Sequence, residues 1–179
     1  MAKLGPEDHI DRLVAQWRRE RPDVDVSALA LFGRLFRASQ LADWALVATT
    51  EKHGLQPGWF DLLAALRRAG APYELNPTRL MAATMLSSGG ITKRLDSMEN
   101  AGLLERRPDP TDRRGTLVRL TRRGRSIVDR ALEDHVANEE RLLQPLSQAQ
   151  RASLDRLLRI LLHSLEQSRI GEEDDQQDA

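Results

Sequence analysis

Two short runs in this 179-residue chain carry side chains of the right type and spacing to meet a polyanion. In the first, Ser87, Ser88, Gly89 and Gly90 precede Ile91, Thr92 and Lys93. Small residues let a backbone approach phosphates, a helix N-terminus attracts them, and Thr92 and Lys93 have the length to reach base edges. With about 100° of rotation per residue, Ile91, Leu95 and Met98 share one side of this helix, while Gly89, Thr92, Lys93 and Asp96 point away. In the second run, Asp112, Arg113 and Arg114 stand at the tip of a predicted hairpin, where an arginine can enter a narrow minor groove. Taken singly, the helix reads as an ordinary polar surface and the basic turn as a solvated one. A helix-turn-helix followed at once by a basic hairpin is far more specific, and it points to double-stranded DNA.

Other chemistry has little support. The chain has no cysteine, which removes disulfides, thiolate catalysis and cysteine-based zinc sites. His135 and Glu139 are four residues apart on one helical face, but His9, His53 and His163 are scattered, so these read as surface histidines and no metal site is expected. Gly89-Gly90 lacks the strand and the Gly-Lys-Ser/Thr spacing of a nucleotide loop, and no serine lies in a nucleophile-elbow pattern. With no paired acid and base in a plausible cleft, the expectation is a protein without catalytic residues or cofactor, not an enzyme.

The elements that must position these residues are mostly helical. Ile10, Leu13, Val14 and Trp17 repeat as one apolar face of a helix ending before Pro22, with Trp17 expected in the core. Ser27 is the expected cap of a long helix reaching about His53, apolar on two faces. Pro57 suits the first turn of a third helix that runs to Gly70, and Asn76-Pro77 opens a short fourth. Ser87 is placed as the cap of a fifth helix ending at Gly102. A strand over Leu103–Arg107, a turn from Pro108 to Gly115 and a return strand over Thr116–Leu120 make the hairpin, or wing. A long helix then runs to about Leu143. Ser147 caps the last one, whose leucine stripe from Leu154 to Leu165 needs a partner, most simply a second subunit.

Composition agrees with a soluble globular chain: 40% hydrophobic, 30% charged, and 27 basic against 27 acidic residues. The balanced total hides an asymmetry, because Ser87–Arg125 holds ten Lys/Arg against five acids, while Gly171–Ala179 holds five acids and no base. The basic middle suits a nucleic acid, and the acidic end reads as a disordered, solvated tail. There is no apolar run near 18 residues and no basic-then-apolar leader, so the expected location is cytoplasmic, with no membrane segment.

The run from Leu86 to Asp96, followed by Glu99-Asn100-Ala101-Gly102-Leu103, Asp109 to Gly115, Leu120-Thr121 and Gly124, resembles the MarR family of winged helix-turn-helix transcription regulators. The resemblance spans roughly Ile10 to Leu165. It implies a mainly α fold, a winged helix-turn-helix with flanking N- and C-terminal dimerisation helices. The implied divisions are 1–56 for the N-terminal scaffold, 57–121 for the DNA-binding region, 122–168 for the C-terminal dimerisation helices and 169–179 for the tail. It also implies a ligand-released repressor, a homodimer on a pseudo-palindromic operator, with Ser87, Ser88, Thr92 and Lys93 as recognition-helix contacts, Arg114 in the minor groove and Asp112 holding the wing. Trp17, Asp61, Arg68 and Arg94 are similar to the four ligand-linked residues of the family's urate-responsive branch, and imply a small anionic aromatic ligand such as urate. Lys93 departs from the asparagine many relatives carry, which bears on base preference. A different class, a helical interaction module offering its basic face to an acidic protein, is the alternative, and a steep salt slope with sequence preference on duplex DNA separates the two.

Overall fold

In the computed structural model, which describes residues 6–84 and 90–177 and side chains as far as residue 168, the chain folds as α1 (His9–Glu20), α2 (Ser27–Glu51), α3 (Trp59–Arg68), β1 (Glu74–Leu75), α4 (Pro77–Ala82), α5 (Ile91–Asn100), β2 (Leu104–Asp109), β3 (Asp112–Leu120), α6 (Arg122–Leu142) and α7 (Gln148–Gln177). This is the mainly helical winged fold that the sequence implies. One compact unit ends at Asn138 and a second begins at Glu139, so the N-terminal helices fall in one unit with the winged region.

The core of the first unit is built around α3, whose Leu62, Leu63 and Leu66 are fully buried against Leu80 of α4, Leu95 and Met98 of α5, Leu104 and Val118 of the sheet and Val128 of α6. Burying these leucines supplies on the order of 2 kcal/mol each, so α3 is the post on which the helix-turn-helix and the wing are mounted. A smaller cluster joins α1 to α2 through Ile10, Val14 and Val26. There α1 comes so close that a Cβ on Gly33 would lie 3.1 Å from Ile10.

Several local expectations are corrected. Trp17 is not core but 49% exposed. The α1–α2 contact runs from Gly33 toward Val26, just before α2, and Trp17 lies a further turn along α1. Ser27 is not the cap of α2 but its first residue, and its N–H and hydroxyl donate to the Asp25 carboxylate at 2.9 and 3.1 Å. Pro57 precedes α3, which starts after Gly58 in the left-handed conformation. The expected cap Ser87 lies outside the described residues; the helical part of α5 begins at Ile91, after Gly90. The acidic end is helical as far as Gln177 instead of disordered, because after Gly171 its glutamates and glutamines continue an established helix without a proline to break it.

The sheet has the antiparallel order β1–β3–β2. Its third strand, β1, is two residues long and gives no alternation to read. The wing strands extend further toward the tip than their sequence suggested, pairing Leu104 with Leu120 and Arg106 with Val118, and leaving only Pro110 and Thr111 to turn. In the second unit Ser147 does cap α7, accepting from the Gln150 N–H at 3.3 Å while Gln150 accepts from the Ser147 N–H at 2.8 Å.

Candidate nucleic-acid interface

The first helix of the helix-turn-helix is fixed at both ends. Asn76 accepts from the Arg79 N–H at 2.8 Å, with Pro77 in the first turn, and the Arg68 guanidinium of α3 donates to the Ala83 carbonyl at 2.8 Å just past its C-terminus. Ser87, Ser88 and Gly89, three of the expected contacts, lie in the segment outside the described residues.

On α5 the buried side is Leu95 and Met98, with Ile91 partly covered. At about 100° per residue, Thr92, Lys93 and Asp96 occupy the opposite, exposed side. One flank, Asp96 and Glu99, faces the wing, where Arg106 of β2 bonds to both: 2.7 Å to Asp96 and 2.6 Å to Glu99, with the Arg106 backbone N–H donating to Glu99 at 2.8 Å. Burial works to lower the Arg106 pKa, but the bonds to the two carboxylates outweigh it, so the pKa is raised and the guanidinium stays charged. The other flank, Arg94 and Ser97, borders a cleft of about 230 Å³ with Gln56, Trp59, Gly90 and Lys93.

The wing tip is organised by its own carboxylates. Asp109 accepts from the Thr111 N–H at 2.8 Å and hydroxyl at 2.7 Å, bonds that hold its pKa below the usual carboxylate range. Asp112 accepts from the Arg114 N–H at 2.9 Å. A Cβ on Gly115 would lie 2.9 Å from that of Asp109, so only glycine lets the strands close here. The ladder is irregular at the tip, where Pro108 pairs with Thr116 and Asp109 with Asp112, so Arg113 and Arg114 fall between the two pairings and are exposed.

Charge sorting is the main result of the geometry. Arg107 and Arg119 lie 3.4 and 4.0 Å from Glu74 of β1. Arg67 and Arg125 flank the Tyr73 ring at 5.1 and 4.7 Å and share Asp129 at 2.8 and 3.8 Å. Among the described residues, Lys93, Arg113, Arg114, Arg122 and Arg123 have no such carboxylate partner. The ion pairs of Arg106 and Glu74 escaped sequence reasoning, although the three-residue spacing of Asp96 and Glu99 on one helix flank was a usable signal.

Of the four ligand-linked positions, one borders the cleft beside α5. Arg94 is half-buried at the cleft, whereas Trp17, Asp61 and Arg68 do not line it; Arg68 is engaged with Ala83, and Asp61 is half-buried on α3. His135 stacks on Phe60 with ring centroids 4.5 Å apart. No group of three metal-ligating side chains exists among the described residues, and none of their helices is long and apolar enough to cross a membrane.

A helix-turn-helix followed by a hairpin with an unpaired basic tip, which a short strand ahead of the helices completes into a three-stranded sheet, defines a winged-helix protein built to bind nucleic acid. Residues 53–115 match the MarR family. The chain is 42% identical over 149 residues to the HTH-type transcriptional regulator PecS of Dickeya dadantii, covering 83% of this chain and 90% of that one. A mutant MarR from E. coli complexed with operator DNA superposes with a TM-score of 0.67 at 27% identity, covering 78% of this chain and 99% of that one. The Bordetella bronchiseptica protein BpsR, whose DNA binding is regulated by 6-hydroxynicotinic acid, gives 0.63 at 27% identity, covering 71% and 89%. The chain belongs to the MarR family of DNA-binding transcription regulators and is not an enzyme.

Proposed function

We propose that the protein is a repressor that binds a pseudo-palindromic operator as a homodimer in the cytoplasm and is released by a small anionic aromatic ligand. The observation that carries this reading is the conjunction of exposed Thr92 and Lys93 on α5 with a wing whose Arg113 and Arg114 are uncancelled by carboxylates. In it, Ser87, Ser88, Gly89, Thr92 and Lys93 meet the major groove, Arg113 and Arg114 the flanking minor groove, and Asp112 orients the tip. Dimerisation is supported by apolar residues left exposed: Leu31, Phe36, Leu41 and Trp44 on α2, and Leu157, Ile160 and Leu162 on α7. Two recognition helices about 34 Å apart enter successive major grooves, and a ligand that changes this spacing weakens binding.

Trp17, Asp61, Arg68 and Arg94 are the residues proposed to answer to the ligand, with urate as the first compound to try. In this reading the pocket forms as the ligand draws them together or as a second subunit completes it. The test is a fluorescence titration of a bound operator duplex with urate. Release by urate in the wild type, reduced in Arg94→Ala, is expected; unchanged DNA affinity at millimolar urate removes the ligand assignment.

A further inference from the structure

Arg106 sits in the basic segment and would be counted among the DNA-binding cations from sequence, yet its charge is spent inside the protein. Its side chain is 27% exposed, and its three bonds tie β2 to two successive positions on the wing-side flank of α5. Those positions matter for what faces a duplex. Asp96 is four residues after Thr92 and three after Lys93, and more than half exposed, so it shares the surface that presents them. Glu99 follows on the same flank. An uncompensated carboxylate pair at this place would stand against the phosphates, and like charges across an interface cost affinity.

We propose that Arg106 is a positioning residue of the DNA-reading surface: it locks the wing to α5 as one reading body and masks Asp96 and Glu99 from the DNA phosphates. The consequence is that Asp96 acts as a brake on sequence-blind binding. It withdraws one arginine, beside Lys93 and the wing, from the pool of free cations that attract phosphates wherever they lie.

This rests on the DNA-binding reading, which wild-type affinity for a duplex enriched from a random library tests separately. On that duplex and a scrambled one, fluorescence anisotropy is recorded for the full chain at two salt concentrations. Arg106→Gln is expected to lose about tenfold in affinity at low salt, less at high salt, where screening weakens repulsion. Adding Asp96→Asn to that variant is expected to recover most of the loss. Asp96→Asn alone, a change at an exposed position, removes one carboxylate and leaves Arg106 held by Glu99 only, and is expected to bind the scrambled duplex severalfold more tightly with a steeper salt slope. Wild-type affinity in Arg106→Gln, a loss independent of salt, a loss that Asp96→Asn does not relieve, or an unchanged scrambled-duplex affinity in Asp96→Asn would each overturn the proposal.

Discussion

Arg113 and Arg114 differ from their neighbour Arg107 in one respect: Arg107 has Glu74 beside it and they have no carboxylate partner among the described residues. Arg114→Ala is therefore expected to weaken operator binding by about 1–3 kcal/mol without lowering thermal stability, while Arg107→Ala changes affinity much less. Anisotropy titration with parallel thermal melts checks both, and an Arg114→Ala variant with wild-type affinity would remove the wing from the account. In the sequence Arg113 and Arg114 stand apart at the predicted tip, but nothing there shows that Arg107 is paired. The basic excess of the segment was legible, and so were Thr92 and Lys93 on the exposed side of their helix. What could not be read was which cations are cancelled, because Glu74 arrives from a strand 33 residues away and Arg106 finds Asp96 and Glu99 only once the wing folds back on α5.

The joints between elements depend on a few polar contacts and close approaches. The start of α6 docks on the start of β2 through Thr121, whose hydroxyl donates to the Gly102 carbonyl at 2.8 Å and accepts from the Gly124 N–H at 2.9 Å. A Cβ on Gly124 would fall 1.9 Å from the Leu103 carbonyl oxygen, so Gly124→Ala is expected to destabilise the fold by about 3 kcal/mol or more, measured by urea unfolding. At the other end, Asp8 caps α1 reciprocally with Asp11 and pairs with Arg34 of α2 at 2.8 Å. The Arg34 guanidinium foremost, then the Asp11 N–H, lowers the Asp8 pKa to about 2. A depressed carboxylate pKa contributes stability above its unfolded value near 3.8 and loses it as pH falls toward about 2. Asp8→Asn should therefore melt below the wild type at neutral pH, with the gap closing across that acid range; a gap independent of pH would show that the ion pair is not its source. Helix order and the apolar faces were legible because periodicity is a local property. The cap of α2, the two-residue β1 and the exposure of Trp17 were not, since each is decided by which neighbour the chain meets.

For the molecule as a whole, α2 and α7 leave broad apolar faces uncovered in a single chain, and α7 has no buried side chain among those described. Replacing Leu158 and Leu162 by glutamate is expected to yield monomers by sedimentation and to abolish tight operator binding, because one recognition helix alone covers half a site. A persistent dimer would move the interface elsewhere. The central claim, that α5 and the wing read a sequence instead of merely attracting a polyanion, is tested most directly by selecting a random duplex library on the purified protein and titrating the enriched duplex at two salt concentrations. The account predicts a two-fold symmetric site bound with nanomolar affinity and strongly preferred over a scrambled duplex at both salts. Recovery of only salt-sensitive, sequence-blind binding would contradict it.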